Sequence, residues 1–595
     1  NNTGDPVFDE TLKQALAVQL EQSPYLNIVS ERKVAGTLRL MGRSPDQPLR
    51  GEAARDLCQR VGSKALLAGS ISSLGSQYVI GLDAVNCATG DSIAKEQAQA
   101  AGKEDVLKAL NNAAVDIRSK LGESLSSVQK FATPVEEATT SSLEALKAYS
   151  LGLKTRSAKG ETAALPLFKR AAELDPKFAM AYAITGTTYG NLGEPALAVE
   201  YTRKAYELRD KVSERERFYI DSHYFSAVTG ELEKATQVHE LWKQTYPRDV
   251  TPHVNLDFID SETGKYDKAV QEARESLRME PNSAMTYGNL AGDDINLNQL
   301  QDAEAVLKQA EERKLESESL LITRYELAFL KGDPAEMAGL VTAAAGKPGL
   351  EDVMLAVQGD TETWYGRVGK GRELARRAIE LAVRNDAAET AAGYQAELAL
   401  REAALGNSTE ARTGSAAALK LAVNRDVQAV SALAMAEAGD ATAAEKLAAE
   451  LNRSYPLGTL VQSYWLPTIR AAIELDRKNP GQAVALLQAA APYELGSLPS
   501  GTSLCPAYVR GQAYLLLRNG AAAAAEFQKF LDHRGVVGNF PLGALARLGL
   551  ARSYALQGDR AKAGNAYLEF LTFWKDADRD IPILKQAKAE YAKLQ

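Results

Sequence analysis

Hydrophobic positions along this chain keep two different rhythms. Up to about residue 122, stretches of helical spacing alternate with stretches of two-residue spacing. Asp9 to Gln22 places Leu12, Ala15, Leu16, Val18 and Leu20 where one helix face needs them. A strand is expected over Leu26 to Val29, then a helix reaching Leu40 and another from about Glu52 to Val61. Ala65 to Ile71 and Tyr78 to Cys87 read as two strands joined through Ser-Ser-Leu-Gly-Ser, with Ser92 to Gln99 as a third. Lys103 to Leu121 predicts an amphipathic helix. Residues 123–141 hold no sustained period, and their Pro, Ser and Thr predict a linker.

From Ser142 the spacing is helical to the end, and a longer period is laid over it. Ala164, Ala198, Ala235, Ala269 and Ala303 stand 34, 37, 34 and 34 residues apart. Gly193, Gly230 and Gly264 each precede one of these alanines by five, and Pro176, Pro247 and Pro281 follow the unit. The same spacing returns as Gly406 with Ala411, Gly439 with Ala444, Gly520 with Ala525 and Gly558 with Ala563. A small side chain lets two helices cross closely. Glycine ends a helix in a left-handed conformation that other residues resist, and proline stops the second helix. Periods of this length mark stacked helix pairs, so residues 142–595 are expected to form a continuous right-handed superhelix of roughly 12 to 14 pairs. Residues 142–315 are the regular units. Over 316–400 the spacing slips, Gly332 to Ala338 and Gly369 to Ala375 being one residue out, and 401–595 resume the pattern with a capping helix.

Gly186-Thr-Thr-Tyr189, with Ala164, Phe168, Ala171 and Pro176, is similar to the tetratricopeptide repeat. A wider resemblance rests on Asn2-Thr-Gly-Asp-Pro-Val-Phe-Asp9, Ala17-Val-Gln-Leu-Glu-Gln-Ser-Pro24, Leu74-Gly-Ser-Gln-Tyr78, Asp532-His-Arg-Gly535 and the ending from Trp574. These stretches resemble the extracytoplasmic part of acidobacterial receptor-type Ser/Thr kinases and related regulators. The resemblance implies a small α/β domain followed by tetratricopeptide units, outside the cytoplasm. It also implies a short apolar strand directly before the Asn-Thr-Gly-Asp-Pro stretch, so the α/β sheet is expected to carry an open slot. The fold class expected is therefore mostly α, a tetratricopeptide-like solenoid behind an α/β domain at 1–122.

Composition changes little in this picture. Lys and Arg number 69 against 77 Asp and Glu, a net charge of −8. No basic face stands out, which argues against nucleic acid, and no apolar run approaches the roughly 18 residues of a membrane span. Cys58, on a helix, and Cys87, at the end of a strand, are a candidate disulfide. The alternative is two buried thiols; a bond would favour an oxidising compartment. Cys505, placed in a loop, has no obvious partner.

Chemistry-bearing motifs are few. The four histidines, His223, His239, His253 and His533, fall in no metal-binding spacing. No Gly-x-Ser-x-Gly or Gly-Lys-Ser/Thr occurs, and Gly369-Lys-Gly371 reads as a helix-pair turn. Asp576-Ala-Asp578-Arg-Asp580 opens like a calcium loop but has Ile581 and Ala587 where glycine and glutamate belong, so Asp580 is expected to cap the last helix. No catalytic set, cofactor or metal is expected. Phe218, Tyr219, Tyr224, Phe225, Trp242 and Tyr246 cluster in the middle units; most are expected as core, with Tyr219, Tyr224, Phe225 and Trp242 as candidate anchors of a peptide groove. The expected role is a protein- or peptide-binding assembly scaffold outside the cytoplasm, its open slot filled either by the chain's own segment upstream of Asn1 or, in trans, by strand addition from another copy, even to a filament. The alternative is the sensor half of a transmembrane kinase or transcription regulator.

Overall fold

A computed structural model describes residues 1–44, 49, 51–498 and 502–594. It divides into two compact units. The first holds Asn1–Val228, Glu233–His253 and Arg278–Ser283; the second holds Thr229–Leu232, Val254–Leu277 and Ala284–Gln595.

In the first unit, β1 (Ala65–Leu74), β2 (Gln77–Asn86) and β3 (Ser92–Ala100) form an antiparallel sheet in that order. The two-residue rhythm sends Ile80, Leu82 and Ala84 of β2 to one buried face. Four helices belong to the same region: α1 (Thr11–Glu21), α2 (Glu31–Leu40), α3 (Gly51–Arg60) and α4 (Val106–Lys120). Val106, Leu107, Leu110, Ala113 and Ile117 of α4 share one core with that sheet face. Among the described residues Asn2 alone extends the sheet, meeting Ser72 in a parallel bridge while its N–H donates to the Ile71 carbonyl at 2.8 Å. The strand expected over Leu26 to Val29 does not form; those residues make no ladder. An isolated extended run gains nothing without a neighbour to pair with.

The segment 123–141 is packed rather than free. It carries the short helices Leu125–Lys130 and Val135–Ala138 and buries Val128, Val135 and Ala138. Its anchor is Arg118, fully buried, whose guanidinium donates to both Glu123 oxygens at 2.8 and 2.9 Å and to the Phe131 carbonyl at 2.9 Å. A buried charge this well paired fixes one arrangement of the chain around it.

Helical hairpins follow. Leu143–Lys159 pairs with Glu161–Leu174, and Ala179–Asn191 with Pro195–Glu207. Ala164, Phe168 and Ala171 are wholly buried, and Gly152 lies so near the Phe168 ring that even a methyl group there would crowd it. The helix Glu214–His223 begins in a capping box between Ser213 and Glu216. Ser213→Ala should cost about 1 kcal/mol, read as a lowered midpoint in chemical denaturation of the whole chain.

In the second unit the hairpins turn at residues with left-handed backbone, Gly264, Asn298, Gly332, Gly366, Gly406, Gly439, Lys478, Arg518 and Gly558, spaced by 34 residues as far as Gly366 and by 33 to 40 beyond it. Two of these correct the sequence reading. Gly369 and Gly371 lie inside the helix Val368–Arg384, and the turn is at Gly366, one 34-residue step after Gly332. Gly371, five residues after that turn, takes the small position, where a Cβ would overlap Thr363. Likewise Gly520 opens the helix Gly520–Asp532, the turn is Arg518, and Ala523 is the buried small residue. Cys505 starts the helix Cys505–Leu516 rather than lying in a loop. Asp580 does not cap the last helix: Pro582–Ala592 has buried Ile581 at its N-cap, with no side-chain cap. Asp578 instead accepts from the Gly369 N–H at 2.7 Å.

Within this unit the hairpins do not touch only their neighbours. Thr459 N–H donates to the Gly230 carbonyl at 2.8 Å, Ser497 N–H to the Ser261 carbonyl at 2.9 Å, and Asn298 bonds both the Asp532 carbonyl and the Gly535 N–H at 2.8 Å. Further along, Asn539 donates to the Val357 carbonyl at 2.8 Å, Trp574 Nε1 to the Trp364 carbonyl at 3.0 Å, and Asp578 N–H to the Gly366 carbonyl at 3.0 Å. Each contact joins a turn or helix to chain some 180 to 240 residues onward. Such a seam departs from the nearest-neighbour packing expected of a solenoid.

Candidate interaction surfaces

The candidate groove aromatics separate by burial. Trp242 is 1% exposed, and its Nε1 donates to Asp249 at 3.0 Å, a carboxylate also held by Arg215 at 2.7 Å. It is a core residue and cannot meet a partner. Tyr219 shares a hydrogen bond with Thr187 at 2.6 Å and stacks on His223 with ring centres 4.1 Å apart. Tyr224 and Phe225 stay half-buried on a stretch wound as a π-helix, Tyr224–Thr229, a form often met at functional positions. Tyr206 stacks on Tyr224, and Arg209 lies over the Tyr206 ring at 3.6 Å. Tyr219, Tyr224 and Phe225 therefore keep some open surface, backed by other rings.

The histidines are packing groups where they are buried. Burial holds His223 down to about 4 and His239 to about 3, so both are neutral at physiological pH. Among the described residues no group of His, Cys, Asp or Glu is arranged to hold a metal ion. A cleft of about 300 Å³ in the second unit is lined by Asn298, Leu300, Leu330, Leu531, Asp532 and Arg534, which provide no nucleophile beside a base. No described helix is long and apolar enough to cross a membrane.

Cys58 and Cys87 have bonded sulfurs, their Cα atoms 5.9 Å apart. Gln59 reinforces the junction by donating to the Cys87 carbonyl at 2.7 Å. Cys505 is buried, its backbone N–H bonded to the Tyr464 hydroxyl at 3.2 Å.

Sequence reading missed the acidic interior of the second unit. Asp257 and Asp293, 1% and 3% exposed, face each other from the helices Thr251–Glu262 and Ala284–Asn296. Burial first, then mutual repulsion, raises Asp293 far enough to keep a proton, which it shares with Asp257. Asn289 donates to Asp257 at 2.9 Å, and Ser261 donates to Asp293. Burial alone pushes Glu326 to about 7 and Glu437 to about 8. Such residues look like ordinary surface acids in a sequence, because nothing local marks what will cover them.

No protein-family model and no curated protein matches the chain. Several solved structures show a likeness. The type IV pilus biogenesis factor PilW is 17% identical, over 35% of this chain and 98% of its own, with a TM-score of 0.27. Yeast Tom70 is 15% identical over 76% of this chain and 95% of its own, at 0.26. The APC/C hetero-tetramer Cut9-Hcn1 is 11% identical over 83% and 85%, at 0.32. Scores this low carry no weight for function. The repeat rests on this chain's own hairpins, which make it a mostly helical solenoid of tetratricopeptide-like units with a small three-stranded sheet.

Proposed function

We propose that this chain is a non-catalytic scaffold that binds other proteins outside the cytoplasm and assembles with copies of itself. The array of helix pairs is the observation that carries the binding role, since stacked hairpins present long surfaces and few convergent polar groups. The bonded pair of Cys58 and Cys87 supports the compartment, because disulfides persist where thiols are not kept reduced. Chain isolated without reductant, unfolded and titrated, should show one free thiol, that of Cys505; three would remove this support.

Self-assembly is tested by mass photometry and electron microscopy of chain 1–595 over rising concentration. Ordered oligomers or polymers are expected. A monomer at every concentration would overturn this part of the reading. A kinase and a membrane helix encoded ahead of Asn1 would instead make the chain the sensor half of a receptor.

A further inference from the structure

The two edges of the sheet are treated differently by the sequence. An exposed edge is a row of unpaired N–H and C=O groups, and proteins protect it with charge, proline or a bulge. The β3 edge has such protection: Lys95, which pairs with Asp83 at 3.2 Å, Glu96, which pairs with Lys120, and a register shift at Ala84/Val85. The β1 edge has none. Its ten residues, Ala-Leu-Leu-Ala-Gly-Ser-Ile-Ser-Ser-Leu, hold no charge and no proline, and its pairing with β2 is unbroken.

The bridge from Asn2 shows which backbone groups face outward. Ile71 turns its carbonyl toward Asn2 and away from β2. By the alternation of a strand, Leu67 and Gly69 point their N–H and C=O the same way, and among the described residues nothing bonds them there. Their surroundings are open too. Ala65, Ala68, Gly69 and Ser70 are exposed, and Leu67 is only partly buried against the core. Asn2 covers just the far end of the edge, and a strand in line with it would run parallel to β1.

We infer that the β1 edge from Ala65 to Ile71 is an acceptor site for an extended, uncharged segment of a second copy of this chain, added parallel to β1. This rests on the self-assembly proposed above and names its surface. Backbone bonds to Leu67 and Gly69 hold the strand, and apolar side chains at alternate positions finish the layer over Leu67. Six residues so placed bury on the order of 1,000 Å², the size at which specific contacts begin. Because acceptor and donor are different parts of the molecule, the contact is head-to-tail and propagates.

The test uses Gly69→Pro, which removes an outward N–H that β2 does not use, where the nearest atom to a new Cβ is Leu82 Cδ2 at 3.8 Å. Ala68→Lys, on the exposed side of the edge, is the second variant and leaves the backbone intact. Circular dichroism and the Cys58–Cys87 bond report folding. Each variant should weaken association of chain 1–595 at least tenfold, and the Leu67 and Gly69 amides of the unaltered chain should exchange slowly only when it is assembled. Assembly equal to that of the unaltered chain in either folded variant overturns the site and leaves the scaffold reading standing. Slow exchange in the dilute monomer overturns it as well, by showing that the chain fills its own edge. An unaltered chain that never associates overturns the self-assembly reading itself.

Discussion

Gly535→Ala is expected to destabilise the second unit severely. In the short helix Arg534–Val537 this residue lies against the backbone of Ile295, and a Cβ would overlap the Ile295 carbonyl outright, with Asn296 Cα next in line. Both obstacles are backbone, so no side chain can swing aside. The helix Ala284–Asn296 and the chain at 532–537 must move apart, which breaks the two Asn298 hydrogen bonds and opens a contact that spans more than 230 residues. Overpacking of this kind with lost buried bonds costs about 3 to 5 kcal/mol. Thermal unfolding of the full chain should show the transition of the second unit several degrees lower, with a new fast-exchanging segment at 295–298. Gly564→Ala is the control: it sits in the helix Arg560–Phe573 with nothing within 4 Å of a new Cβ, and alanine there should stabilise slightly. Equal stability of the Gly535 variant and the unaltered chain would mean that the seam contributes nothing.

The second large effect is a dependence on pH that one substitution should flatten. In the unfolded chain Asp257 and Asp293 titrate near 3.9 like any aspartate. In the fold both are raised, by burial first, so the native state holds protons the unfolded chain has released. The state that binds more protons gains as pH falls. Stability is therefore highest on the acid side of neutrality and declines as pH rises from the ordinary carboxylate range through the raised values. Asp294, at about 6, and Glu326 and Glu437, at about 7 and 8, add to the decline with the same sign. Asp293→Asn keeps a donor for Asp257 and an acceptor for the Ser261 hydroxyl while removing the proton that must be lost. The variant should match the unaltered chain near pH 5 and exceed it by roughly 2 kcal/mol near pH 9, by the cost of an unpaired buried charge. Urea midpoints across that range read the effect. A variant whose stability falls with pH as steeply as that of the unaltered chain would show that the pair does not share a proton in solution.

Local chemistry was readable in the chain itself. The step from Gly264 to Ala269 states a helix end and a close crossing, because left-handed backbone and a missing side chain are requirements of single residues. The β1 and β2 hairpin was legible too, β2 through the alternation of Ile80, Leu82 and Ala84, although β1 runs on to Leu74 through residues that read as the connection. Where another residue met the same local need, spacing misled: Asn298 and Arg518 take left-handed turns without being glycine, and Gly520 is a glycine because Ser553 crowds it, not because it turns. Leu26 to Val29 had the composition of a strand and no partner to make it one.

Only the tertiary structure decided the rest. Whether Gly230 meets Thr459, or Asn298 meets Gly535, depends on small rotations summed over several hairpins, and no single repeat carries that sum. The shared proton of Asp257 and Asp293 has the same origin: each is an unremarkable acid until the neighbouring helix brings the other out of water beside it. Sequence fixes what a residue requires of its own backbone, and packing alone determines what comes to lie against it.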